Sequence, residues 1–68
     1  MADIVSGHRV GPFIVICDTE GLRHSIRTNS VLAISDADDQ QVTTRLLLYG
    51  GQKILILLPF DEVLLWFS

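Results

Sequence analysis

The chain has 68 residues, of which 49% are apolar and 19% charged, and it carries a net charge of −3. That length allows one domain, and that composition folds into a core instead of remaining disordered. The acidic balance disfavours nonspecific phosphate binding, and a single cysteine, Cys17, excludes an internal disulfide framework.

Residues 1–12 carry Gly7, Gly11 and Pro12 and show no sustained period. They read as a leader that is loosely ordered or adds a short edge strand. They have no basic start followed by an apolar run, so no secretory signal is visible, and a cytoplasmic location is expected. Residues 13–68 read as a single β-rich domain.

Phe13 to Cys17 is β-branched and aromatic, which suits a strand. Asp18-Thr19-Glu20-Gly21 is a turn, with Gly21 free to take positive φ. Leu22 to Arg27 alternates, with Leu22, His24 and Ile26 on one side and Arg23, Ser25 and Arg27 on the other. A two-residue Glu20-Gly21 turn sets Cys17 opposite His24 and Val15 opposite Ile26, and a four-residue turn preserves the same faces. The predicted core face is then Phe13, Val15, Cys17, Leu22, His24 and Ile26. Thr28-Asn29-Ser30 is turn-prone, with Asn29 or Ser30 able to cap one helical turn. Val31 to Ser35 follows as a short strand, and Asp36 to Gln41 as a polar loop.

The strongest local signal is Arg45 to Leu58, two apolar runs around Gly50-Gly51. A two-residue glycine turn predicts a hairpin pairing Tyr49 with Gln52, Leu48 with Lys53, Leu47 with Ile54 and Leu46 with Leu55. One face then carries Leu47, Tyr49, Ile54, Ile56 and Leu58, and the other Leu46, Leu48, Leu55 and Leu57. A half-exposed strand alternates apolar with polar, and Ile54 to Leu58 does not, so cover on both faces is expected. A closed small barrel or a second protein chain would supply it. Pro59 ends the last strand, and Phe60 to Phe67 reads as a helix with Asp61 and Glu62 at its positive end. Val63, Leu64, Trp66 and Phe67 are its expected packing residues. The fold class is therefore mainly β (α+β). It is a small antiparallel sheet of about five strands, able to curl into a half-barrel, with a short C-terminal helix.

No constellation supports catalysis, a cofactor or a metal. The predicted Cys17–His24 pair has the elements of a thiolate nucleophile but no third orienting group, so it reads as core packing. His8, His24 and Cys17 lack the spacing of a zinc site. Asp36-Ala37-Asp38-Asp39 begins a calcium-loop pattern without its glycine or closing glutamate. No phosphate loop or dinucleotide fingerprint is present.

Thr19-Glu20-Gly21, Asn29 with Val31 to Ile34, Tyr49-Gly50-Gly51-Gln52-Lys53 and Phe60-Asp61-Glu62-Val63 occur in an order that resembles short bacterial motility-associated proteins of the FlbD and SwrD type. The resemblance covers residues 13–67. The leader has no counterpart there, and the acidic loop lacks a matching Pro-Asp-Thr. It implies a small cytoplasmic, non-enzymatic accessory protein. Leu22-Arg23-His24-Ser25 and Ser30-Val31 also resemble LytTR-type DNA-binding domains, which are longer and basic on the binding side.

The expected function is a non-catalytic protein-interaction or self-association module, a homodimer in its simplest form. The expected interface is Leu46, Leu48, Ile54, Leu55, Ile56, Leu57, Phe60, Trp66 and Phe67. The alternative is a small nucleic-acid-binding regulatory module, with Arg23, Arg27, Arg45 and Lys53 as contacts.

Overall fold

A computed structural model describes residues 6–68. Six strands form two antiparallel three-stranded sheets, one ordered β1-β2-β3 and the other β4-β5-β6. The strands are β1 (Arg9–Val10), β2 (Phe13–Cys17), β3 (Arg23–Arg27), β4 (Val31–Asp36), β5 (Thr44–Leu48) and β6 (Lys53–Ile56). A 3-10 turn at Thr28–Ser30 joins the sheets, and helix α1 (Phe60–Leu65) follows β6. The expectation of one sheet of about five strands, or of a closed barrel, is corrected to this pair of sheets. The chain crosses from one sheet to the other at the 3-10 turn, so β3 and β4 do not pair. Arg27 stands at the N-cap of that turn, so neither Asn29 nor Ser30 caps it.

Both hairpins close through loops of odd length, and this corrects the expected faces. Asp18 N–H donates to the Leu22 carbonyl at 2.9 Å, leaving three residues, Thr19 to Gly21, in the first loop. Leu48 N–H donates to the Gln52 carbonyl at 2.8 Å, leaving Tyr49, Gly50 and Gly51 in the second. Gly50 and Gly51 take φ of 95° and 89°, a region where a Cβ clashes with the backbone. An odd loop shifts the register by one residue, and a one-residue shift moves a strand's side chains to the other face relative to its partner. Cys17 therefore pairs with Arg23, and His24 with Ile16. Leu46 pairs with Ile54, and Leu47 with Lys53.

The core is Ile14 and Ile16 of β2, Leu46 and Leu48 of β5, Ile54 and Ile56 of β6, and Val63 of α1. Ile26, Val31, Ile34, Leu58, Trp66 and Phe67 pack around it. Each buried isoleucine or leucine contributes about 1.5–3 kcal/mol through its removal from water. β6 does alternate in burial: Ile54 and Ile56 are enclosed, whereas Leu55 is 43% exposed and Leu57, just past the strand, 66%. The expected cover on both faces of this strand is thus not supplied by the rest of the chain. Thr44 is the one buried polar side chain among the described residues, and its hydroxyl donates to the Leu58 carbonyl at 2.7 Å.

Helix α1 starts at Pro59, whose missing N–H costs nothing there, and Asp61 and Glu62 occupy its first turn. Val63 enters the core, while Leu64 and Leu65 remain exposed. Gly7 lies against the Trp66 indole, where an added Cβ would come within 2.6 Å of the ring. Arg9 Nη2 donates to the Trp66 carbonyl at 2.6 Å. Segment 6–10 thereby covers the end of the helix. It also runs beside β2, with Gly7 N–H donating to the Val15 carbonyl at 2.7 Å.

Candidate functional site

The residues expected at an interface divide into two groups. Leu46, Leu48, Ile54 and Ile56 lie in the chain's own core and have no accessible surface to offer a partner. Phe60 is half-buried, and Trp66 and Phe67 pack against the core with partial exposure. Leu55 and Leu57 remain, two residues apart on the side of β6 that faces away from the core. Leu47 and Ala33 share that outward face on the neighbouring strands β5 and β4, since Ala33 pairs with Leu47. Arg45, paired with both Ser35 and Leu55, and Lys53, paired with Leu47, interleave with them.

The exposed edge of β4 is not open along its length. A bulge interrupts the ladder between Val31 and Ala33. Ala37 N–H donates to the Thr43 carbonyl, so by alternation Ile34 and Asp36 turn their backbone groups away from β5. Arg45 Nη2 then donates to the Asp36 carbonyl at 3.3 Å. A bulge and a basic side chain at a sheet edge both discourage pairing with another strand. Beside this edge lies a shallow groove lined by Leu32, Ala33, Ile34, Leu64 and Phe67, among others.

Arg23 and Arg27 project from the outward face of β3, and Arg27 stacks over Phe13 with its guanidinium carbon 5.4 Å from the ring centre. β3 and β6 together wall two clefts. One is lined by Asp18, Thr19, Glu20, His24, Lys53, Ile54 and Leu55; the other includes His24, Ile26, Gln52 and Lys53. Lys53 and Arg45 stand on the outward face of the other sheet, Lys53 beside Leu47 and Arg45 beside Leu55. Acids stand in both regions: Asp18 and Glu20 share the first cleft with Lys53, and Asp36 and Asp61 line another shallow cleft with Gln41, Pro59 and Phe60.

Cys17 and His24 point to opposite faces of their hairpin, which corrects the expected pairing and removes the basis for a thiolate nucleophile. His24 instead meets Asp18. Its Nε2–H donates to Asp18 Oδ2 at 2.7 Å, and the second oxygen of Asp18 accepts from Glu20 N–H and Leu22 N–H at 2.9 Å each. The hydrogen bond from His24 is the chief cause that holds the Asp18 carboxyl below its ordinary pKa. Partial burial opposes the shift, and the two backbone donors reinforce it. Sequence reasoning read this segment only as a turn. An aspartate at the first position of a turn, two residues before a free N–H, was the available signal.

Among the described residues, no group of three or more His, Cys, Asp or Glu side chains is arranged to hold a metal ion. None of their helices is long and apolar enough to cross a membrane. Comparison with protein-family models, curated proteins and solved structures finds no match for this chain.

Proposed function

We propose that this protein is a non-catalytic interaction module that self-associates through the outward face of the β5–β6 hairpin. The observation that carries this reading is the exposure of Leu55 and Leu57, 43% and 66%, on a strand whose inner face is already enclosed. An apolar surface of neighbouring residues on a small domain is a common mark of a protein contact. Leu47 and Ala33 extend the strip, and Arg45 and Lys53 supply a polar rim. The blunted edge of β4 favours contact through a face over strand addition. The order of turns that resembles FlbD and SwrD type proteins supports a bacterial accessory role without enzymatic activity.

Sedimentation equilibrium across a dilution series tests this reading. The wild type is expected to dimerise, and Leu55→Lys with Leu57→Lys to give a folded monomer. A wild type that is monomeric at every accessible concentration would refute self-association.

Arg23 and Arg27 on the outward face of β3 favour a second reading, in which that face binds a nucleic acid through its phosphates, with Arg45 and Lys53 of the other sheet as further contacts. Binding would weaken steeply with salt, because each neutralised phosphate releases counterions. A gel shift at low ionic strength that shows no complex would remove this reading.

A further inference from the structure

We propose that the β2–β3 turn is a latch on the seam between the two sheets: the Asp18–His24 contact holds Thr19 N–H on the carbonyl of Leu55, and its release frees the turn from β6 and opens the seam.

The argument starts from the backbone. In an antiparallel ladder, alternate residues direct their N–H and C=O groups toward one neighbour and then away from it. Asp18 N–H bonds to Leu22, so Leu22, His24 and Ile26 turn their backbone toward β2, and Arg23, Ser25 and Arg27 turn theirs away. Leu48 N–H bonds to Gln52, so Lys53 and Leu55 turn theirs away from β5. These two sets of outward groups lie along the β3 and β6 walls of the two clefts, and the strands themselves do not pair. One backbone bond spans the seam among the described residues, from Thr19 N–H to the Leu55 carbonyl at 3.0 Å.

That bond exists only because the turn has one shape. Asp18 sets the shape, since its carboxylate gathers Glu20 N–H, Leu22 N–H and His24 Nε2–H at once. Three donors on one carboxylate orient the intervening residues, and Thr19 is the residue that this arrangement turns toward β6. His24 stands at the junction, as it lines both clefts. The titratable groups facing it there are Asp18 and Glu20 from the turn and Lys53 from β6. Removing the charge on Asp18 weakens three hydrogen bonds together, and charge-assisted bonds are the strong ones.

Amide hydrogen exchange followed by NMR on the full chain tests the latch, with Thr19 as reporter and Leu46, in the core of β5, as control. Asp18→Asn is expected to speed exchange at Thr19 about tenfold while Leu46 keeps its protection, which is the mark of local opening. Unchanged exchange at Thr19 would overturn the proposal. So would Thr19 and Leu46 losing protection together, because the pair would then be a plain contributor to global stability. The wild type supplies the same test without substitution: acidification through the lowered Asp18 pKa is expected to deprotect Thr19 before Leu46. Simultaneous loss of both would overturn it.

Discussion

The two glycine hairpins share a geometry and differ in what holds them. Each has a three-residue loop with glycine at positive φ, Gly21 in one and Gly50 with Gly51 in the other. In β2–β3 the turn is tied by side-chain chemistry around Asp18, and β3 alternates basic or polar residues with His24 and Ile26. In β5–β6 no side chain is recorded bonding to the Gly-Gly turn, and leucines stand on both faces of β5. The turn of the first hairpin is held locally, although its strand β2 buries Ile14 and Ile16, whereas the second hairpin relies on burying Leu46, Leu48, Ile54 and Ile56. A polar turn can therefore open without the core, whereas the second hairpin cannot open without losing it.

Substitutions in the core should separate the two most sharply. Leu46→Ala is expected to cost about 2–5 kcal/mol in urea unfolding, enough to unfold much of a domain this small. Ile26→Ala on the first hairpin, half-buried at the edge of the core, should cost clearly less. An equal cost at both sites would break the comparison. Thr44→Val comes next: it leaves the Leu58 carbonyl buried without its donor, and is expected to cost about 1–3 kcal/mol in the same measurement.

The loops themselves should behave alike. Gly21→Ala and Gly51→Ala each force a side chain into left-handed backbone, and each is expected to lose about 1–2 kcal/mol by thermal melting. A free exchange of Gly21 would mean that the Asp18 contacts allow the turn to change shape.

The smallest effect is expected in acid. Asp18 has a folded pKa below its unfolded value, so its contribution is present above the ordinary value of 3.8 and is lost as pH falls through the folded value. The acid limb of a melting-temperature profile should be shallower in Asp18→Asn than in the wild type. No difference below the ordinary carboxylate range would show that the turn adds nothing to stability.

Much of the architecture was legible locally. Strands at Phe13–Cys17 and Lys53–Ile56, the glycine turns and the acidic start of the helix all follow from residue preferences and short-range sterics. The sides of single strands were legible too: His24 with Ile26, Leu46 with Leu48, and Ile54 with Ile56 each share a face, as alternation requires. Which side of one strand meets which side of the next was not. That depends on whether a loop holds an odd or an even number of residues, and glycine-rich turns accommodate either. For the same reason the Asp18–His24 contact stayed hidden while Cys17–His24 was expected.

By itself, then, the sequence determined where most strands and turns fall along the chain and the alternation within each strand, because these follow from neighbours along the chain. The tertiary structure decided that Ile14 and Ile16, and not Phe13 and Cys17, share the core with Leu46 and Ile54. It also decided that Leu55 and Leu57 stay in water. Each of these depends on hydrogen-bond register across loops and on two sheets packing face to face, which residues distant in sequence settle together.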